Sequence, residues 1–182
     1  FYVQKWPWGH VEDWWNYQNR PIIRPESAER LNQIIEDTPD SLLEIAAPVV
    51  ARGASVKAGE NQVNGVTVFG STGNYARMMS AEFKEGRLFN EAEAASGRQV
   101  CVLGYDVAEA LFPTSSPVDQ MVLIRGQPFM VIGVLAKQGS FLGLFSFDSQ
   151  AIMPLNAYRK YFGLNSNSAQ LRVKVRDKNR MD

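Results

Sequence analysis

Few residues in this sequence have the type and spacing that chemistry requires, and the first candidate is the segment Gly70-Ser-Thr-Gly-Asn-Tyr75. Glycines leave backbone N–H groups open to cradle an anion, as in phosphate-binding loops. Those loops end in Gly-Lys-Ser or Gly-Lys-Thr, where the lysine binds phosphate and the hydroxyl binds the metal. This segment lacks that ending, so we do not expect it to bind a nucleotide.

The apolar run Val100-Cys-Val-Leu103, followed by Gly104 and a helical pattern, has the order that opens a dinucleotide-binding unit. One glycine is not the three-glycine fingerprint of such units. A hairpin pattern, from Met121 to Leu135, also stands where a second parallel strand is needed. We therefore expect Gly104 to have a structural role.

The remaining reactive residues do not combine into a site. His10 is the only histidine and supports neither a histidine metal site nor a catalytic triad. Cys101 is the only cysteine, so an intramolecular disulfide is impossible, and we expect a buried thiol. Glu91 and Glu93 fall on different faces of a predicted helix, which we interpret as solvated. We predict no catalytic, cofactor-binding or metal-binding residues, and no enzyme.

Composition indicates an ordinary globular protein. The chain has 182 residues, 45% of them hydrophobic and 21% charged, which suffices for one domain or two small lobes. Nineteen basic residues balance nineteen acidic ones, which argues against a nucleic-acid partner. No apolar run reaches the roughly 18 to 20 residues that cross a bilayer. Because the sequence begins at Phe1 without a signal-peptide pattern, we expect a piece of a longer protein.

The elements that must carry these residues can be predicted from periodicity and turn residues. Apolar residues at helical spacing, alternating runs and Gly- or Pro-containing turns separate the candidates. They predict helices over 25–37, 90–95, the residues after Gly104, and 155–162, and strands over 1–6, 49–56, 62–69, 100–103, 121–125, 129–135, 151–154 and 171–175.

The order of these segments carries a family resemblance. The pattern V-x-V-L-G-x-x-V-A-E-x-L-F, then P-V, then I-x-G-x-P-F-x-V-I-G-V-L, lies within residues 98–136. It resembles the periplasmic core domain of MacB-type ABC transporter permeases. Glu85-Gly-Arg-Leu-Phe89 and Ile152-Met-Pro-Leu155 resemble segments before and after this block, so the resemblance spans roughly residues 63–176. Gly73 stands where the family usually has proline, and Asp119-Gln120 where it has Gly-Lys.

The resemblance implies an α+β fold with two lobes. One is a βα-type, porter-like lobe built from both ends of the chain, about 1–84 and 149–182, and the other is an inserted, mostly β lobe, about 85–148. It also implies a non-catalytic extracytoplasmic domain that transmits ATPase-driven movement of membrane helices to the export or release of a substrate, or to a periplasmic partner. The domain itself needs no cofactor, because ATP acts on a separate ATPase subunit or domain.

The implied surroundings follow from the same resemblance. The domain is expected at the periplasmic face of the bacterial inner membrane, tethered by flanking transmembrane helices. Its expected partners are a cytoplasmic ABC ATPase, reached through those helices, and a second permease copy, with a periplasmic adaptor or lipoprotein as a further partner. No nucleic-acid partner is implied.

Two segments stay open to more than one interpretation. Residues 7–24 are rich in aromatics, and with Trp6 they hold all four tryptophans of the chain. They could cover one end of the core, anchor at a membrane interface, or form a ligand-binding module for a peptide or sugar. The segment Gly139–Phe147 is either a loop tucked under a lobe or an exposed apolar contact loop, and we favour the contact loop.

Overall fold

A computed structural model of the chain describes residues 2–5, 15–78, 82–141, 145–146, 148–164 and 169–176. Helices and strands alternate irregularly along the chain, which confirms the predicted α+β class. In order they are β1 Tyr2–Val3, α1 Trp15–Gln18, α2 Glu26–Glu36, β2 Leu43–Ala58, β3 Asn61–Ser71, α3 Asn74–Met78, β4 Phe83–Gly86, α4 Glu91–Ser96, β5 Val100–Leu103, α5 Tyr105–Leu111, β6 Met121–Ile124, β7 Gln127–Leu135, β8 Ser140–Phe141, β9 Phe145–Ser146, β10 Gln150–Pro154, α6 Leu155–Phe162 and β11 Gln170–Val175.

The chain forms two compact units. Unit 1 combines both ends, Phe1–Val50 and Leu164–Asp182, and unit 2 is the continuous stretch Ala51–Gly163. The two lobes that the family resemblance implies have different boundaries, about 1–84 with 149–182 and about 85–148. Those lobe boundaries stay a prediction.

In unit 1, strand β11 lies between two antiparallel neighbours. It pairs with β1, where Tyr2 faces Arg172, and with the first part of β2, where Leu171 faces Pro48. The amide of Asn32 on helix α2 donates to the carbonyl of Ala46 at 2.9 Å and accepts from its N–H at 2.7 Å. This helix and the strands share one apolar cluster, formed by Ala28, Ala46, Leu171 and Val173.

In unit 2, six strands close into a ring. The order runs from the second part of β2 through β3, β10, β5, β7 and β6, and β6 then pairs back onto β2. Closure depends on a short antiparallel contact in which Val56 faces Ile124. The pairs β3–β10 and β5–β7 are parallel, and β4 pairs with the end of β7 that β6 leaves open. The sequence predicted the strands but not this closure.

The ring has an apolar interior because its strands turn alternate side chains inward. Val122 and Ile124 of β6 are fully buried, while Met121 and Leu123 are exposed. Strand β5 is buried at every position, as expected for a strand covered on both faces. Helices α5 and α6 both contact β3. None of the helices in the described part of the chain is long and apolar enough to cross a membrane.

Candidate functional site

The glycines of the Gly70–Tyr75 segment are required by packing. A Cβ at Gly70 would lie 2.6 Å from Cβ of Tyr158, and one at Gly73 would lie 2.9 Å from Cα of Glu91. Real side chains do not approach so closely, so only glycine fits at either position. The glycine at position 73, where the resembled family usually has proline, thus allows the start of helix α4 to come close.

Gly104 has a similar structural explanation. Its N–H donates to the carbonyl of Gln150 at 2.7 Å, and a Cβ at this position would lie 2.8 Å from the carbonyl carbon of Asp148. Gly104 therefore lets strand β10 and the residues before it pack against the start of helix α5. In the preceding strand β5, Cys101 has no solvent-exposed surface, and burial raises the pKa of its thiol.

Asp148 is a buried acid that the sequence did not single out. Its carboxylate accepts the N–H of Gln138 at 2.8 Å and of Gly139 at 2.7 Å. These bonds join the two ends of the segment containing the small antiparallel pair β8–β9. The favoured contact loop, Gly139–Phe147, falls in this segment, but Leu142–Leu144 and Phe147 lie outside the described residues, so its apolar tip stays a prediction.

Glu93 is an ion-paired carboxylate in unit 2 with two arginine partners. Both carboxylate oxygens bind the guanidinium of Arg87, at 2.7 and 3.0 Å, and Arg98 lies 3.4 Å away. Glu93 also accepts the N–H of Asn90, which completes a capping box at the start of helix α4. The hydrogen bonds from Arg87 lower the pKa of Glu93, and the backbone hydrogen bond from Asn90 lowers it further. Burial acts in the opposite direction, and the resulting pKa is about 2.

The interpretation of this helix as solvated is wrong for Glu93, whose side chain is only 8% exposed. Glu91 is exposed, as expected. The capping pattern Asn-x-x-Glu at 90–93 was the sequence signal that could have identified the pairing, because the third residue of a capping box turns back toward the helix start. With its low pKa, Glu93 is a structural anion and is not suited to proton transfer at neutral pH.

The described residues contain no group of three or more His, Cys, Asp or Glu side chains that could hold a metal ion. His10 lies outside the described residues. So do Trp6, Trp8 and Trp14, and with them residues 7–14 of the aromatic segment 7–24. Trp15, at the start of helix α1, is 56% exposed.

The β6–β7 hairpin exposes a group of apolar side chains. Its outward side carries what we call the hairpin face: Met121, Leu123, Pro128 and Met130, all exposed. Met121 lies directly opposite Met130, and Leu123 lies directly opposite Pro128. In a strand with one solvated side, polar residues would be expected at these positions. The sequence carries no signal for this surface, because all four residues of Met121–Ile124 are apolar.

Two residues with left-handed backbones bracket strand β6. Asp119 has φ 65° and Arg125 has φ 51°, and they are the only non-glycine residues with positive φ in the described part of the chain. Both side chains are exposed. Asp119 stands where the resembled family has glycine, which adopts this conformation freely. The chain therefore keeps a left-handed backbone at that position in spite of the substitution.

Comparison with known proteins agrees with this structure. The family model for the MacB-like periplasmic core domain matches residues 1–182. The chain is 34% identical over 113 residues to the uncharacterized ABC transporter permease YknZ of Bacillus subtilis strain 168, covering 61% of this chain and 28% of that protein. It is 30% identical over 160 residues to the pyoverdine export ATP-binding/permease protein PvdT of Pseudomonas syringae pv. syringae strain B728a, covering 87% of this chain and 23% of that protein.

Among solved structures, the periplasmic region of MacB from Actinobacillus actinomycetemcomitans superimposes with a TM-score of 0.74 at 19% identity, covering 97% of this chain and 74% of that one. The fold is therefore the same. The chain spans about a quarter of the length of the relatives it matches, 28% and 23% for the two described. The predicted family is confirmed: this chain belongs to the MacB-like periplasmic core domains, the extracytoplasmic domains of ABC transporter permeases.

Proposed function

We propose that this domain transmits movement: nucleotide-driven motion of membrane helices reaches it through both ends of the chain and changes the contacts that it makes outside the cytoplasm. ATP acts on a separate ATPase subunit or domain, and this domain uses no cofactor and carries out no bond chemistry. The paired partner is a second permease copy, at the periplasmic face of the inner membrane, with an adaptor or lipoprotein as a further partner.

The observation that carries this proposal is the pairing of β1 with β11. The first described strand and the last one lie side by side, with Tyr2 opposite Arg172 and Val3 opposite Leu171. Strand β11 continues the sheet onto β2, which is a single strand from Leu43 to Ala58. A displacement applied at either end therefore acts on hydrogen-bonded strands, which are stiff compared with a loop. Stiffness is what mechanical coupling requires, since a flexible entry would absorb the motion.

The proposal can be tested in the full-length permease reconstituted with its ATPase in lipid nanodiscs. A spin label at Glu60→Cys, in the exposed turn between β2 and β3, reports the distance between two copies. We expect this distance to change between the nucleotide-free and the ATP/vanadate-trapped states. A flexible Gly-Ser insert of about ten residues placed before Phe1 should abolish the change while ATP hydrolysis continues.

The matched control is the same insert between Thr114 and Ser115, in an exposed loop outside the proposed path. It should leave the distance change intact. The proposal fails if the distance does not respond to nucleotide, or if the insert before Phe1 leaves the response unchanged.

The cargo is proposed only by class. One relative is named for pyoverdine export, so a molecule of the same class as pyoverdine is the first substrate to assay in transport. The second candidate function is a ligand-binding module formed by residues 7–24, and the exposed indole of Trp15 favours it because an accessible ring can stack on a sugar or peptide. The four tryptophans are Trp8, Trp14 and Trp15 within this segment and Trp6 directly before it, so tryptophan fluorescence of the 182-residue chain reports on this region. Emission that is blue-shifted and resists acrylamide would argue against the module.

A further inference from the structure

We propose that Arg52 and Arg125, which we call the arginine pair, form with the hydroxyl of Tyr158 a binding site for a phosphate group, carried by a dissolved ligand or by a lipid headgroup. All three residues belong to unit 2. The site is independent of the proposed transmission of movement, so either proposal can fail alone.

The first step is that both arginines contact the same residue at the end of helix α6. Nη1 of Arg52 donates to the carbonyl oxygen of Phe162 at 3.3 Å, and the guanidinium carbon of Arg125 lies 5.5 Å from the centre of the Phe162 ring. That ring stacks on the ring of Tyr158, with 4.9 Å between centres and 15° between planes. Strand β2, the β6–β7 turn and helix α6 therefore each bring one member of the site to this point.

The second step is the hydroxyl of Tyr158. The residue is only 4% exposed, yet its hydroxyl forms no hydrogen bond within the described part of the chain, and the oxygen keeps some contact with solvent. A buried tyrosine hydroxyl normally has a partner. Burial raises the pKa of Tyr158, while the positive charges of Arg52 and Arg125 act in the opposite direction, so both guanidiniums lie near the phenol oxygen.

The third step is that the positive charge is not balanced. Neither member of the arginine pair forms an ion pair among the residues that the structure describes. Residues 51–58, 121–135 and 155–162, which supply the site, contain no aspartate or glutamate, although the chain has nineteen acidic residues. Two neighbouring cations repel each other, and an anion bound between them converts that repulsion into attraction.

The fourth step is the number of unused donors. A guanidinium has five N–H donors in a planar fork. In the described part of the chain, the side chain of Arg52 uses one of them, on the carbonyl of Phe162, and the side chain of Arg125 uses none. Stacking on a ring leaves the N–H edges of Arg125 open. A phosphate group, with three acceptor oxygens and a charge of about −1.5 to −2 at neutral pH, matches two guanidiniums and a hydroxyl.

The fifth step is the costly placement of Arg125. The two-residue turn Arg125-Gly126 has positive φ at both residues, 51° and 78°. Asparagine, aspartate or glycine is the usual first residue of such a turn, because only these adopt its backbone with ease. A local rule that is broken by a residue with unused binding capacity is typical of a functional position.

The test is a titration of the 182-residue chain with inorganic phosphate, followed by NMR of arginine side chains labelled with ¹⁵N. Chloride keeps the ionic strength constant. We expect the Nε–H signals of Arg52 and Arg125 to shift along one saturating curve. The signal of Arg30, an exposed arginine of helix α2, should not follow that curve.

Arg125→Asn separates binding from folding. Asparagine suits the first position of this turn, so the variant should unfold at the same urea concentration as the parent or at a higher one in chloride. Its affinity for phosphate should nevertheless fall about tenfold, the factor that a hydrogen bond to a charged group commonly contributes.

Two conservative variants and one control complete the set. Arg52→Gln retains a donor for the carbonyl of Phe162, and Tyr158→Phe retains the stacked ring, but both should bind phosphate several-fold more weakly. Arg30→Gln removes the same charge from helix α2 and should bind like the parent.

Vesicles distinguish the two sources of phosphate. Cosedimentation with phosphatidylglycerol vesicles but not with phosphatidylcholine vesicles, lost in Arg125→Asn, supports the site and assigns it to a lipid headgroup. Saturation by inorganic phosphate without cosedimentation supports it for a dissolved ligand. The proposal is overturned if phosphate shifts neither arginine signal more than chloride does and vesicles do not bind, or if Arg52→Gln and Arg125→Asn bind like the parent. None of these results changes the expected nucleotide response of the spin-labelled permease.

Discussion

Asp119 and Arg125 stand at opposite ends of strand β6, and both have the left-handed backbone conformation that side chains other than glycine seldom adopt. The strand between them has two buried residues, Val122 and Ile124, and two exposed apolar ones. Strain, charge and exposed apolar surface therefore coincide within one hairpin of the ring.

Asp119→Gly should make the chain more stable. Glycine adopts φ near 65° without the clash that a Cβ causes, and the relief amounts to about 0.5 to 1 kcal/mol because aspartate is among the better-tolerated residues there. Urea unfolding followed by circular dichroism of the 182-residue chain measures the change. Asp119→Val, which is β-branched, should shift the midpoint in the opposite direction. A lower midpoint for Asp119→Gly would show that the aspartate itself stabilises the turn.

Glu93→Gln should destabilise the chain at neutral pH and have less effect in acid. The pKa of Glu93 in the folded chain is lowered from 4.5 to about 2. A lowered pKa contributes stability that is fully present above the unfolded value and is lost as the pH falls through the folded one. We expect a loss of about 1 to 3 kcal/mol at pH 7, because the partner arginines are more than half exposed and solvent screens part of the interaction.

The comparison that checks this is the pH dependence of unfolding for Glu93→Gln and for Glu91→Gln, an exposed residue of the same helix. The difference between parent and Glu93→Gln should shrink between pH 4.5 and pH 2. Glu91→Gln should stay close to the parent throughout. A pH-independent difference for Glu93→Gln would mean that the ion pair with Arg87 is not its cause.

Phe129→Asp should abolish cooperative folding. Phe129 is fully buried, and its ring meets that of Tyr161 edge-on at 5.8 Å between centres. A carboxylate at this position would be buried without a cation, which costs several kcal/mol, a large part of the roughly 5 to 15 kcal/mol of a typical domain. Met130→Asp, at the next residue but on the outward side, is the matched control and should fold. A stable Phe129→Asp variant would show that the hairpin does not line the core.

Cys101 should be almost unreactive in the native chain. It has no exposed surface, and burial raises the pKa of its thiol, so both access and the thiolate form are suppressed. Reaction with Ellman's reagent should be more than about 100-fold slower than in denaturant, because it requires opening of the ring. Leu123→Cys supplies an exposed thiol for comparison. Fast reaction of the parent chain would mean that strand β5 opens readily.

The purified chain should neither bind nor hydrolyse ATP. Both glycines of the Gly70–Tyr75 segment are explained by close packing, Gly70 against Tyr158 and Gly73 against Glu91, and the segment lacks the lysine that binds phosphate in nucleotide-binding loops. Titration calorimetry with ATP and Mg²⁺ should give no binding heat, and the permease reconstituted with its ATPase serves as the positive control. Stoichiometric binding to this chain alone would contradict the proposed division of labour.

Much of the local structure could be predicted from the sequence. Helix α2 follows from apolar spacing after a proline, the β2–β3 and β6–β7 hairpins follow from turn residues between apolar runs, and helix α6 ends before Gly163. The absence of a Gly-Lys-Ser ending and the single histidine argued against enzyme-like sites, and that expectation stays a prediction. The ordered motifs between residues 63 and 176 were sufficient to predict the family, which the comparisons confirmed.

Only the tertiary structure decided which residues meet across long stretches of chain. The pairing of Val56 with Ile124 closes the ring. Two further contacts also depend on how the elements pack. They are the ion pair of Glu93 with Arg87 and the hydrogen bonds that Asp148 accepts from two backbone N–H groups. Periodicity assigns a residue to a face, but it does not say whether that face is covered. Met121 and Leu123 look like core residues in the sequence, and the closed ring leaves them on the outside.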